Sequence, residues 1–226
     1  MNRKMLDTIL PWQVVTSSVT YEDRWLRIRS DHCLTPRGVQ VNPYHVIEYP
    51  DWVNVVALAR ETLQLVLVRE YRHGRREVVT GLVSGTVEPG DAAGATDPAE
   101  SAARCELCEE TRYSAGELKR LLVSYPNPAN QNNLVISYLA LDVVLGGDRL
   151  LDASEDIEVV LAELPEVMLR LRSGELRMQA MHVAALWSAC AHIIGSDNLT
   201  AAAVALREKL VMALGRSLSD TEISGD

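Results

Sequence analysis

Arg104-Cys105-Glu106-Leu107-Cys108-Glu109-Glu110-Thr111-Arg112 is the stretch that decides how the chain is read. On a helix each residue advances about 100°, so Glu106 and Glu110 stand about 40° apart and Glu109 about 60° to the other side of Glu106. Three carboxylates share one face. Like charges at this spacing cost a solvated helix a few tenths of a kcal/mol, and more when crowded. A divalent cation between them reverses that sign, because hard ions such as Mg²⁺ take carboxylate oxygens and leave room for phosphates. Alone, an acidic helix face is most often a solvated surface, so the neighbouring sequence has to decide.

The helix has a defined start. Asp97 can accept at the N-cap, Pro98 suits the first helical position, and Glu100 stands three beyond the cap at capping-box spacing. A helix from Pro98 to about Tyr113 follows. Before it runs a glycine-punctuated stretch, Gly81-Leu-Val-Ser-Gly85-Thr-Val-Glu-Pro-Gly90-Asp91. Upstream of that, Trp52–Leu58 and Leu63–Arg69 are rich in branched residues, as buried central strands are. Downstream, strands are expected at Leu118–Ser124, Leu134–Val144 and Ile157–Leu161, with helices at Pro165–Arg172, Ala180–Ile194 and Leu199–Leu214. Near the N-terminus, Trp12–Thr16, Trp25–Arg29 and Val39–Val41 are short alternating runs separated by turns. Strands, helix, strands, helices in that order indicate an α/β sandwich around one main mixed sheet. It divides into an N-terminal β-rich region at 1–50, a central domain at 51–197, and a C-terminal helix and tail at 198–226.

With these residues in place, the chain resembles the Nudix hydrolases, whose box reads G-x5-E-x7-R-E-U-x-E-E-x-G-U with U aliphatic. Here the box is Gly85 to Asp91 and then Glu106 to Tyr113. The flanks are similar to a subgroup of ADP-ribose and nucleotide-sugar pyrophosphatases. Glu70-Tyr71-Arg72-His73-Gly74 matches its Q-Y-R-H-G, Ser124-Tyr-Pro-Asn-Pro-Ala-Asn its P-N-P-A segment, and Ser154-Glu-Asp-Ile-Glu158 its E-D-I-E turn. The resemblance spans about Trp52 to Leu186 and implies a Nudix α/β/α sandwich preceded by the small β-rich region.

What it implies about chemistry is hydrolysis of a nucleoside diphosphate linked to another group, with Mg²⁺ as the ion and Mn²⁺ as the alternative. Glu106 and Glu110 match the principal metal ligands, Glu109 the third box carboxylate with a share in metal and water, and Ser84 a backbone-carbonyl ligand. Arg72 is the candidate diphosphate contact. Glu155 is the candidate general base, preferred to Glu158, which falls in the following strand. Similar pyrophosphatases use the N-terminal region in a homodimer, so a homodimer is expected.

The box also departs from its pattern. Asp91 stands where it has glutamate. Thirteen residues separate Asp91 from Cys105 where the pattern has seven. Cys105 occupies the arginine position, and Arg104 beside it points about 100° away. Arg112 replaces the helix-ending glycine, so the helix is expected to extend toward Gly116, since a non-glycine left-handed cap costs about 1 kcal/mol or more. Gly81 stands where the subgroup usually has glutamate, and Glu70 where it has glutamine. The alternative reading is therefore a catalytically weakened or silent nucleotide-sugar-binding or regulatory protein on the same fold.

Composition bounds the rest. The chain has 226 residues, 22 basic against 31 acidic, a formal charge of -9, and no phenylalanine. That balance argues against broad nucleic-acid or anionic-membrane binding. No apolar run approaches the roughly 18 residues of a membrane span, and four cysteines do not form a disulfide framework. A cytoplasmic protein acting on a small molecule is expected. Cys105 and Cys108 form a C-x-x-C, but mid-helix thiols lack the N-terminal field of a redox pair and have no second pair for zinc; they are read as small apolar fillers. His182 is read as a packing histidine, and Tyr71 and Trp52 as core or interface aromatics. No G-x-S-x-G elbow or Walker-type loop is present.

Overall fold

The computed structural model describes residues 9–92, 96–146, 156–197 and 199–215. The chain separates into two compact units, 1–50 with 125–134, and 51–124 with 135–226.

The first unit is an antiparallel three-stranded sheet, β1 (Gln13–Glu22), β2 (Arg27–Leu34) and β3 (Gln40–Glu48), in the order β1-β2-β3. Each expected short run overlaps only the start of a longer strand, and Trp12, Trp25, Leu26 and Val39 fall just before it. Charge pairing stitches the sheet. Asp31, buried on β2, accepts from Ser17 Oγ at 2.6 Å and from Arg29 Nε at 3.1 Å, and Glu48 pairs with both Arg27 and Arg29. The segment 125–134 joins this sheet: the Tyr44 hydroxyl donates to the Ala129 carbonyl, and the Ile47 N–H to the Asn130 carbonyl at 2.7 Å. Strand β1 is exposed along its whole length and forms an edge.

The second unit is built on an eight-stranded mixed sheet: β4 (Trp52–Ala59), β5 (Leu65–Arg72), β6 (Glu77–Gly81), β7 (Val83–Thr86), β8 (Tyr113–Ser114), β9 (Lys119–Ser124), β10 (Val135–Leu145) and β11 (Ile157–Ala162). Its spine runs β11-β5-β4-β10-β8, with β4 and β10 parallel. Strands β4 and β5 pair only at Ala57–Leu58 with Leu65–Val66, and then diverge. Beyond that fork β6 pairs with β5, and β7 pairs with β4. The fork opens the sheet where the glycine-punctuated stretch passes.

Both faces are covered, because successive side chains of a strand point to opposite sides. Val56, Leu58, Leu65, Leu67 and Leu139 are buried with α2 (Leu164–Ser173), α3 (Ala180–Gly195) and α4 (Ala201–Gly215). The alternate set, Val53, Val55, Ala57, Val66 and Val68, is equally buried and faces away from that cluster. Helix α1 (Pro98–Thr111) packs on β4, β7 and β10, presenting Ala102, Ala103 and Leu107. Helix α4 buries Ala203, Leu206, Leu210 and Ala213, so its small-residue face is a packing surface. Among the described residues no helix is long and apolar enough to cross a membrane.

The ends of α1 test the local reading. Asp97 is the N-cap and accepts from the N–H groups of Ala99 at 3.1 Å and Glu100 at 3.3 Å. The other end corrects it: the helix does not run on toward Gly116. It stops at Thr111, and Arg112 takes the left-handed conformation at φ 65° with its N–H donating to the Cys108 carbonyl at 2.8 Å. The chain then has to pair at once as β8 with the end of β10, and the Gly146 N–H donates to the Arg112 carbonyl. Tertiary pairing thus outweighs the local cost of a Cβ at positive φ. A glycine at this position removes that backbone cost, so with the side chain absent from both variants Arg112→Gly is expected to be about 1 kcal/mol more stable than Arg112→Ala; its thermal melt should lie a few degrees higher.

Candidate active site

The site is assembled at the fork. Ser84 and Gly85 lie on β7, opposite Asn54 and Val53 of β4. Helix α1 crosses β7 and lays Glu106 over it. A Cβ built on Gly85 would fall 1.7 Å from Glu106 Oε1 and 2.0 Å from Glu106 Cδ. The Glu106 carboxylate therefore rests directly against the Gly85 backbone, one residue from the Ser84 carbonyl, in space that only glycine leaves open. One turn on, Glu110 is 5% exposed, a depth at which a carboxylate needs a compensating partner. Glu109 is half-buried on the same helix.

Asp91 lies in a 3-10 turn, Pro89–Ala92, where its Oδ2 accepts from the Glu88 N–H at 2.7 Å. Cys105 sits among Asp91, Glu106 and Glu109. Partial screening of its thiol and then those carboxylates, Glu109 foremost, raise its pKa, so it stays a neutral thiol. It is exposed, which corrects its reading as an apolar filler. Nor does Arg104 replace the missing cation. It is held by Glu100 Oε1 at 2.7 Å and donates to the carbonyls of Ala115 and Gly116 at 2.8 and 3.3 Å. It ties α1 to the following loop, as its helical angle predicts.

Beside Ser84 and Gly85 opens a cavity of about 260 Å³, lined by Trp52, Arg72, Thr86, Gln179 and Met181. Arg72, at the end of β5, lines the cavity and pairs through its guanidinium with Glu70 at 2.5 Å. Trp52 is thus a cavity wall. Tyr71 stays on the surface, edge-on to His73 at 6.0 Å. Glu158 is drawn to Arg69 at 2.8 Å on the outer part of β11. Glu155 lies outside the described residues.

The oxygen-only donor set of Glu106, Glu109, Glu110 and the Ser84 carbonyl suits a hard divalent ion, and the carboxylate cradled on Gly85 is the feature that fits one. Among the described residues no three His, Cys, Asp or Glu side chains gather closely enough to hold an ion unaided. Sequence reasoning did not find Gln179 and Met181, nor the contact of His182 with this region. They arrive from the start of α3, roughly a hundred residues later, with no motif to mark them.

Residues 49–182 match the NUDIX domain, and residues 12–47 match the nucleoside diphosphate sugar hydrolase N-terminal domain. An ADP-ribose pyrophosphatase of Bacillus subtilis (strain 168) is 28% identical over 142 residues, 62% of this chain and 72% of that protein. A solved structure described as an ADP compounds hydrolase superimposes with a TM-score of 0.72 at 21% identity, covering 85% of this chain and 99% of its own. That last likeness concerns the fold.

Proposed function

Because the chain belongs to the NUDIX family and is a pyrophosphohydrolase of it, we propose that it hydrolyses the diphosphate of an ADP-ribose-like compound or nucleotide sugar to a nucleoside monophosphate and a sugar phosphate. The observation that carries this reading is the Glu106 carboxylate seated on Gly85 beside an arginine-lined cavity. The matched N-terminal family and the Bacillus relative support the substrate class.

In this proposal Glu106, Glu110 and the Ser84 carbonyl hold Mg²⁺, and Glu109 shares it or orients its water. When bound, the ion neutralises phosphate charge and lowers the pKa of a water molecule. The chain's own residues do the positioning. Arg72 offers a planar fork of donors to the diphosphate, a fit that a lysine lacks. Trp52 and Met181 bound the cavity. Glu155 is the proposed base, on the strength of the sequence alone. The neutral Cys105 neither pairs with the carboxylates nor competes as a hard ligand. The exposed edge strand β1, with Val14, Val15, Val19 and Tyr21 accessible and Trp12 just before it, supports a homodimer through the N-terminal sheet. Sedimentation should give twice the chain mass, and a monomer at every concentration would remove the dimer.

The test is incubation with ADP-ribose and a panel of nucleotide sugars at several Mg²⁺ concentrations, with products identified. AMP and ribose 5-phosphate are expected, and chelation should stop the reaction. Glu110→Gln should lower kcat by about 100-fold, because it removes one anionic ligand. Saturable binding without turnover would instead establish the silent reading, and a Glu110→Gln variant with most of the wild-type rate would overturn the ligand assignment.

A further inference from the structure

The chain changes partners at Leu82. Gly81 is the last residue of β6 paired with β5, opposite Val68, and Val83 the first of β7 paired with β4, opposite Val55. Leu82 belongs to neither ladder, so its buried N–H needs an acceptor from elsewhere. His182 of α3 supplies it: Nδ1 accepts from the Leu82 N–H at 3.2 Å. The imidazole is 2% exposed and packs so closely on Gly81 that a Cβ there would lie 2.9 Å from both Nδ1 and Cε1. With Nδ1 accepting, the ring proton sits on Nε2, which is buried without a partner among the described residues. A leucine in its place would offer the Leu82 N–H no acceptor. Two residues past the bond lies Ser84, and three past it Gly85.

We infer that His182 is a positioning residue: by accepting the Leu82 N–H across a Gly81 that makes room for it, the imidazole sets the strand crossover that delivers Ser84 and Gly85 to Glu106. The substitution of Gly81 for the subgroup's glutamate and the presence of His182 are then one feature of this chain. This rests on the proposed metal site, and the experiment separates the two.

Asparagine places Oδ1 about where Nδ1 stands, and leucine keeps apolar bulk but accepts nothing. The full-length protein and its His182→Leu and His182→Asn variants are compared by Leu82 amide exchange, by Mn²⁺ affinity from the free-ion EPR signal, and by kcat and KM for ADP-ribose. His182→Leu should lose Leu82 protection, bind Mn²⁺ about tenfold more weakly, the usual loss when a supporting contact behind a ligand is removed, and lose kcat more than KM. His182→Asn should recover all three. A second measurement does not depend on the leucine variant folding. Gly81→Ala should weaken Mn²⁺ binding in the wild-type background and add nothing in His182→Ala, where the ring has left. Unchanged Mn²⁺ affinity in folded His182→Leu, or additive effects of Gly81→Ala and His182→Ala, would overturn the inference. Wild-type protein that binds Mn²⁺ but hydrolyses nothing would remove the proposed function while leaving these comparisons intact.

Discussion

Gly85→Ala is expected to fold, melt within a few degrees of the wild type, and hydrolyse ADP-ribose about 1000-fold more slowly. The new methyl would occupy the place of the Glu106 carboxylate, at 1.7 Å from Oε1, 2.0 Å from Cδ and 2.6 Å from Cγ. Such approaches are impossible, so one partner has to give. Strand β7 is paired to β4 from Trp52↔Thr86 to Val55↔Val83, whereas the Glu106 side chain is half-buried and can rotate. The side chain therefore moves and the backbone stays. Displacing a reacting or coordinating group by about 1 Å costs on the order of 100-fold, and loss of the ligand adds to that. The measurement pairs a thermal melt with steady-state kinetics over a Mg²⁺ series. Wild-type kcat at every Mg²⁺ concentration would mean that Glu106 does no work against Gly85. The contrast with Arg112→Gly is instructive: one glycine position matters for what lies over it, the other for its backbone angle.

Acid should destabilise the protein through His182. Burial, reinforced by the Arg72 charge, lowers its pKa from 6.5 to about 4. The sign follows from proton binding. Between these values the unfolded chain takes up a proton that the folded one refuses, so stability is fully present above about pH 6.5 and is lost as pH falls toward 4. The whole difference amounts to about 3 kcal/mol. Carboxylates elsewhere also respond to acid, so the informative quantity is a difference between proteins. Urea unfolding of wild type and His182→Asn at pH 7, 6, 5 and 4 should show the wild type losing about 3 kcal/mol more. Parallel loss in both would place the titration elsewhere.

Local signals carried much of the architecture. Branched runs marked β4, β5 and β10, and Asp97-Pro98 marked the start of α1 to the residue, because burial on both faces and helix capping are written in adjacent residues. The three glutamates were named for a similar reason: helical spacing puts them on one face of α1, and their part as ligands stays a proposal. Arg104 was correctly discounted by its angle.

What failed to show in the sequence were events that depend on distant partners. Arg112 accepts a left-handed cap because β8 must pair with β10 at once, a demand made by residues 144–145. Gly81 looked like a lost glutamate and His182 like packing; the burial of His182 agrees with packing, but its seat on Gly81 and its hydrogen bond from Leu82 join residues a hundred positions apart. The amino-acid order by itself determined the periodicities, the caps and the line of anions, since each is a short-range matter of angle and charge. The tertiary structure alone decided which glycine is pressed by which side chain and which cavity Arg72 enters, because van der Waals exclusion and hydrogen-bond completion act between surfaces that meet only after the sheet has forked and the helices have closed over it.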